Sequence, residues 1–414
     1  MERLIFHIDV NSAFLSWEAA RRVSEGLPDL REIPAAIGGD PEKRTGVVLA
    51  KSIPAKKFGI KTGEPLSAAL RKCPDLVLAQ PDFKLYEKNS RAFMDICRSY
   101  APVVEKASID ECFCDMSGTG YLYPDPLATA REIKDRIRDT LGFTVNVGVS
   151  RNKLLAKMAS DFEKPDKVHT LFPEEIEAKM WPLPVGELFS VGGNTAAKLR
   201  SVHIATIGDL ARAPLPSVQA LVGKKLGQHL HDYANGRSDS PVLAQPEEAK
   251  GYSISTTLEE DVTDTETACR ILLALADSVT ARMRADGVQA SCVAVTIRGN
   301  DFKNKSHQRH FYAPTDVTGE VYGAAKDLFS ELWDRQTPLR LIGISMTDLS
   351  REEEAQLSLF DEKDREKARQ IDKAVDAIRG RFGSDMIQRG SAMGTSARIG
   401  RRYKARSEQD TEKD

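Results

Sequence analysis

The sequence predicts an α+β protein of several domains, and three observations carry that prediction. The N-terminal third alternates short apolar strands with amphipathic helices; residues 166–240 break into short helices separated by Gly and Pro; residues 250–349 mix strands and helices again before the chain turns charged from 350 onward. A chain of 414 residues is long enough for two to four cores. Hydrophobic residues at 41% and charged residues at 29% place it with ordinary globular proteins. No run of eighteen apolar residues offers a membrane span. The net charge of −2 gives no global signal for nucleic acid, so local patches must supply any such argument.

Residues 3–10 (RLIFHIDV) read as the first strand: an acid and a His interrupt the apolar stretch and no cleavage site follows, unlike a signal peptide. Residues 11–78 suggest short helical pieces and Gly/Pro turns, and 102–117 two short strands or a hairpin. Residues 127–141 predict a helix. Asp125 can cap it, Pro126 suits its first turn, Gly142 stops it, and Ala130, Ile133, Ile137 and Leu141 make its apolar stripe. A strand over 143–149 and a helix over 152–162 follow. Residues 241–249 (PVLAQPEEA) read as a linker and 339–349 (LRLIGISMTDL) as the last strand. A charged helix is expected over 363–382, with Ile371, Val375, Ile378 and Phe382 on one side, and a disordered charged end over 400–414. The six cysteines are scattered without a CxxC pair, which favours buried thiols over zinc or a disulfide framework.

The chemistry begins with the acids. Asp9 ends the first strand, and Asp110 and Glu111 sit at another strand boundary about a hundred residues later, in SIDECF. A buried, unpaired carboxylate is costly or stays protonated. Acids delivered by two neighbouring strands could converge and be neutralised by divalent cations, and paired Mg²⁺ ions serve in-line phosphoryl displacement. The competing reading makes Asp110 and Glu111 a solvated turn, with Asp9 capping a helix at Asn11. Two basic stretches could hold phosphates: 50–63, with Lys51, Lys56, Lys57 and Lys61, and 148–165, where Lys153 and Lys157 share a helix face. Solvated lysine faces are the alternative.

The segments FHIDVNSAF, SIPAKKFGIKTG, SIDECFCDMS and GVSRNKLLAKMASDFEKP, in this order and spacing, resemble a Y-family translesion DNA polymerase of the DNA polymerase IV type over about the first 350 residues. The resemblance implies a right-hand architecture: a palm at 1–10 and 79–165, fingers at 11–78, a helical thumb with a helix-hairpin-helix at 166–240, an α+β little finger at 241–349, and a charged tail at 350–414. It implies two Mg²⁺ ions held by Asp9, the Val10 carbonyl, Asp110 and Glu111, with Glu111 catalytic. Phe14 matches the aromatic steric gate against a ribose 2′-OH, though a plain helix-core Phe fits too. Lys157 matches a triphosphate lysine. Lys56 stands where the family usually has Arg, which loses the bidentate fork. Ile53 replaces a phosphate-binding Tyr, a departure that touches the triphosphate contacts and not the metal site, and Asn11 replaces a common acid, which fits a divergent subgroup.

In 184–200 (PVGELFSVGGNTAAKLR) the thumb hairpin resembles a phosphate-binding turn in which Gly192 is kept and Ser190 replaces the first glycine. A second, weaker copy at 221–230 reads more readily as an ordinary helix turn. Residues 295–311 set Arg298, Lys303, Lys305 and Arg309 against a single Asp301, suited to DNA-backbone contacts or to a plain exposed hairpin. Gln356, Leu357, Ser358, Leu359 and Phe360 resemble a bacterial sliding-clamp-binding peptide, with Leu and Phe as pocket anchors; a peptide folded back on its own domain is the other reading.

Together these imply a template-directed DNA polymerase that extends a primer 3′-OH from dNTPs past damaged bases, with low fidelity. Primer–template DNA, dNTP and the clamp are its partners; it acts without a membrane, as a monomer, in the cytoplasm. A catalytically inactive clamp-bound repair scaffold should have lost metal ligands, and all three acids are present. A nucleotidyl cyclase needs neither the thumb hairpin nor the clamp peptide.

Overall fold

β1 (Ile5–Val10) is buried along its whole length. Its alternation sets Ile5, His7 and Asp9 on one face and Phe6, Ile8 and Val10 on the other. Ser12, at φ 49°, turns the chain sharply into α1 (Ala13–Ser24), which buries Leu15, Trp17 and Ala19. A small module follows: β2 (Ala35–Gly38), β3 (Val48–Lys51), α2 (Ile53–Lys57), α3 (Leu66–Lys72) and β4 (Val77–Ala79), its sheet ordered β3-β2-β4. The sequence suggested only helical pieces and turns here. Strands of three or four residues are too short for alternation to show.

Next come α4 (Phe83–Arg98), β5 (Val103–Lys106), β6 (Glu111–Asp115), α5 (Pro126–Leu141), β7 (Val145–Ser150), α6 (Lys153–Ser160) and β8 (Val168–Thr170). The expected caps of α5 are in place. The Asp125 carboxylate accepts the Leu127 and Ala128 amides, and Gly142 adopts φ 75° at the other end. The five strands form one sheet, β5-β6-β1-β7-β8, antiparallel except for the β7–β8 pair. Phe6, Ile8, Cys112, Cys114, Val145, Val147 and Val149 point into a core shared with Phe93 and Cys97 of α4 and Ile133 and Ile137 of α5. α6 lies on the other face, against Ile5 and Phe113.

Four short helices follow: α7 (Gly193–Ser201), α8 (Ile207–Arg212), α9 (Leu215–Val222) and α10 (Lys224–Ala234). Their common core includes Leu199, Leu210, Val218 and Leu230 and extends to Leu155 and Met158 of α6.

This computed structural model describes residues 3–40, 46–245, 247–351, 362–383 and 386–390. The chain forms two compact units that meet in sequence between Glu247 and Glu248. The second contains β9 (Gly251–Val262), α11 (Thr265–Ala285), β10 (Val288–Gly299), β11 (Asn304–Thr315), α12 (Thr318–Leu332), β12 (Leu339–Arg351) and α13 (Glu362–Phe382). Its antiparallel sheet runs β11-β10-β12-β9. Val293, Val295, Ile297, Ile342 and Ile344 face α11 and α12 across one core.

The tail helix α13 forms over almost the expected span but docks by the opposite face. Ile371, Ile378 and Phe382 are exposed. A charged stripe with the same helical spacing carries the contact: Arg369 pairs with Asp316 at 2.7 Å, Asp372 with Arg284 at 3.4 Å, Asp376 with Arg284 at 2.6 Å and Arg379 with Asp277 at 2.7 Å. Periodicity marks a stripe and not the side of the helix that is covered. Here buried acids and bases from α11 and from the β11–α12 connection select the polar side.

Candidate active site

Cross-strand register brings the acids together. Asp9 of β1 stands opposite Glu111 of β6, and the Val10 amide donates to the Asp110 carbonyl at 3.0 Å. All three acids therefore gather where β1 meets the β5–β6 hairpin. Asp9 is not a cap: α1 starts beyond it, at Ser12. Asp110 Oδ1 accepts from Ser108 Oγ at 2.6 Å.

Each of the two facing carboxylates has a lysine. Lys157 of α6 donates to Glu111 Oε1 at 2.8 Å. Lys164, beyond the end of α6, is hydrogen-bonded to Asp9 and pairs with Asp161 at 2.9 Å. Burial raises the Asp9 carboxyl above its ordinary value, Lys164 opposes that rise, and the neighbouring Glu111 charge adds to it. Glu111 is pulled down to about 2. The His7 imidazole is the main cause, with burial working against it and Lys157 adding to it. His7 Nε2 lies 3.7 Å from Glu111 Oε2, a contact longer than a hydrogen bond. The other ring nitrogen, Nδ1, bonds to Ser160 Oγ at 2.7 Å and anchors the ring to α6.

Gly148 of β7 sets the height of α6 above the sheet. A Cβ there would stand 2.5 Å from the Ser160 amide nitrogen and closer still to the Ala156 carbonyl oxygen. Only glycine lets the helix lie this near.

The expected phosphate lysines divide. Lys153, placed with Lys157 on one helix face, is taken up by Glu105 at 2.6 Å. Lys157 faces Glu111. Lys164 was not among the expected residues, although it lies within 148–165: its helix is over by Ser160, so helical spacing says nothing of where it points. Lys56 is exposed on α2 and near enough to Lys51 to help, after burial, to lower the Lys51 ammonium. Two neighbouring cations of this kind suit an anion. Phe14 is half-buried in the first turn of α1 and stacks on Tyr86 of α4, with ring centroids 4.5 Å apart.

In the helical hairpins, Gly192 is the extended N-cap of α7 (φ −78°), with nothing within 4 Å of a Cβ. The left-handed position of that turn is Ser190, at φ 77°. At the second copy Gly223 joins α9 to α10 at φ 97°, and a Cβ on Gly227 would meet Gln219 Cα at 2.7 Å.

In the second unit β10 and β11 form the expected hairpin, with Arg298 and Asn304 facing each other at its turn. The sequence count of four cations against one acid does not survive folding. Lys305 pairs with Asp334 at 3.1 Å, and Arg309 with Asp327 at 3.2 Å and Glu331 at 3.0 Å. These acids come from α12 and the turn after it, on the helix side of the sheet. Arg298 donates to Asn304 at 2.7 Å, and Lys303 is exposed, 3.5 Å from Asp301. The peptide Gln356, Leu357, Leu359 and Phe360 lies outside the described residues.

Residues 8–161 match the impB/mucB/samB family, 249–359 that family's C-terminal domain, and 186–237 the thumb domain of DNA polymerase-iota. The chain is 44% identical over 390 residues to the DNA polymerase IV of Clostridium acetobutylicum, covering 94% of this chain and 98% of the relative. It is 37% identical over 396 residues to the DNA polymerase IV 1 of Bacillus subtilis, covering 94% and 93%. Among solved structures, a Y-family DNA polymerase chimera of Dbh and Dpo4 shares the fold with a TM-score of 0.72 at 22% identity, over 83% of this chain and 98% of that one. With the acids gathered on an antiparallel sheet, these likenesses define a DNA-directed DNA polymerase. The chain belongs to the Y family of translesion polymerases and, within it, to the DNA polymerase IV type. No described helix is long and apolar enough to cross a membrane.

Proposed function

We propose that this chain extends a primer 3′-OH on a DNA template by two-metal phosphoryl transfer. In this reading Asp9, Asp110, Glu111 and the Val10 carbonyl hold two Mg²⁺ ions. One observation carries it: Asp9 and Glu111 are cross-strand partners beside Asp110, and two lysine ammonium groups balance their charge. A cluster of hard oxygen donors open to phosphate suits Mg²⁺. Bound there, such ions lower the pKa of the primer hydroxyl and neutralise charge developing on the phosphate. The protein's own groups do the rest. His7 and Lys157 keep Glu111 ionised; Lys164 and Lys157 are released from the carboxylates toward the triphosphate; Lys56, with Lys51, adds charge from the fingers. Phe14 excludes a 2′-OH.

The assignments of 1–10 and 79–165 as palm, 11–78 as fingers, 166–240 as thumb and 241–349 as little finger belong to the same proposal. Backbone amides at Gly192 and the cations Arg298 and Lys303 contact DNA phosphate. Lys305 and Arg309 join them by exchanging the carboxylates of α12 and the turn after it for phosphate, a strongly salt-dependent step. The protein acts as a cytoplasmic monomer, tethered to the sliding clamp by Leu359 and Phe360; unchanged clamp affinity in a protein carrying Leu359→Ala and Phe360→Ala would remove that tether. The central test is primer extension with Mg²⁺. Asp110→Ala or Glu111→Ala abolishes incorporation while DNA binding persists. Wild-type rates in both variants overturn the metal assignment.

A further inference from the structure

The proposed reaction uses none of the six cysteines, but one of them sits in a built constellation. Cys292 of β10 is in register with His310 of β11 on one side and with Thr347 of β12, next to Asp348, on the other. Cys292 Sγ, a His310 ring nitrogen and an Asp348 carboxylate oxygen all lie within 4.8 Å of one another. His310 Nδ1 and Asp348 Oδ2 are 3.6 Å apart.

Local backbone irregularity makes this meeting possible. The β10–β11 ladder shifts register between Ala290 and Cys292, a bulge against β11, while the β10–β12 ladder keeps its register there. Ala290 and Val293 point into the core, while Cys292 is left on the opposite face with Ala294 and Thr296. Asp348 holds φ 55°, a left-handed conformation uncommon outside glycine and reached chiefly by residues such as Asp and Asn. Bulges of this kind re-aim side chains, and strain at a non-glycine residue is a pointer to function.

We propose that Cys292, His310 and Asp348 bind a divalent cation of the zinc class, with a fourth position left to water. Thiolate, imidazole and carboxylate together are a donor set that selects zinc-like ions over Mg²⁺ or Ca²⁺. Around a tetrahedral zinc, with bonds of about 2.0–2.3 Å, donor atoms stand about 3.3–3.8 Å apart. Closing from 4.8 Å therefore needs about 1 Å of side-chain motion. His310 and Asp348 have the freedom for it, each with 61% of its side chain exposed, whereas Cys292 is an anchor at 2%. The thiolate and the carboxylate together balance the charge of the ion, and binding releases the thiol proton.

The site has a structural consequence. Among the described residues, β11 is an edge strand whose ladder is with β10 alone. An ion held by Cys292, His310 and Asp348 ties β11 to β12 across β10. It thereby stiffens the hairpin that carries Lys303, Lys305 and Arg309.

The full chain, stripped with chelator and kept reduced, is titrated with Co²⁺ and then Zn²⁺. One equivalent of Co²⁺ is expected to produce a thiolate-to-cobalt charge-transfer band in the near ultraviolet with four-coordinate visible bands, and Zn²⁺ to bleach both. Carboxylates such as Asp9 and Glu111 cannot supply the charge-transfer band. Cys292→Ser is expected to abolish it. His310→Ala and Asp348→Asn, both at exposed positions, each weaken Zn²⁺ binding by at least the roughly 10-fold that loss of even an outer partner costs. Zn²⁺ raises the melting temperature of the parent protein and not of His310→Ala. Absence of the band at one equivalent overturns the proposal. So does its persistence in Cys292→Ser, which would move the ion to the buried cluster of Cys97, Cys112 and Cys114.

Discussion

Replacing Gly148 by Ala tests how the site is supported without touching a charged group. The added Cβ would stand 2.5 Å from Ser160 N and closer to Ala156 O, both backbone atoms of α6 that no rotamer change can move aside. Real contacts of this kind need more than about 3 Å, so the helix must retreat by about 1 Å or the strand must bend. Overpacking of this size costs about 1–3 kcal/mol. The retreat also carries Lys157 away from Glu111, where the pair now meets at 2.8 Å, and Ser160 away from His7 at 2.7 Å. A misplacement of about 1 Å at supporting residues lowers turnover by about 100-fold. Urea unfolding reads the first effect, and single-turnover primer extension at saturating DNA and dNTP reads the second. A variant with unchanged midpoint and unchanged turnover would refute the idea that close helix–sheet contact positions the site. Lost stability with full turnover would detach the lysines from the chemistry.

Phe14→Ala is expected to raise ribonucleotide incorporation relative to deoxynucleotide by about 10–200-fold, the range one steric contact supplies. It should also cost about 2 kcal/mol from the lost stack on Tyr86 and the half-buried ring; unchanged sugar selection in primer extension rules out the gate. Glu111 predicts an acid limb in stability. Its carboxyl lies at about 2 in the folded chain against an ordinary 4.5. A carboxyl lowered by folding stabilises above its unfolded value, and that contribution disappears as pH falls from about 4.5 toward 2. The gap corresponds to about 3 kcal/mol before solvent screening, modest at a side chain only 25% exposed. Asp9, shifted upward, has the opposite sign and partly offsets it at neutral pH. Glu111→Gln should therefore flatten the acid limb of denaturant-derived stability; an identical limb argues against the His7 and Lys157 contacts.

The docking of α13 shows how two stripes of equal spacing compete on one helix. Ile371, Val375, Ile378 and Phe382 form the apolar one, and Arg369, Asp372, Asp376 and Arg379 the charged one. In the fold the charged stripe is covered, because it gives the buried Arg284 guanidinium its carboxylate partners, Asp372 and Asp376; the Arg284 and Asp372 side chains are 3% and 4% exposed. Pairing offsets that desolvation and fixes which side faces in, while adding little net stability.

The sequence by itself determined whatever depends on neighbours along the chain. The caps of α5, the 103–115 hairpin, the alternation of β1 and the order of the motif segments all rest on local geometry, and a linear reading reaches them. The motif segments also named the three acids. Only the tertiary structure decided what meets across long separations. It set Lys164 against Asp9 from beyond a helix end and diverted Lys153 to Glu105. It lined Lys305 and Arg309 with acids of α12 and the turn after it, and it gathered Cys292, His310 and Asp348 from three strands. Register and packing set these distances, and electrostatic energy depends on separation in space, which a list of residues does not contain.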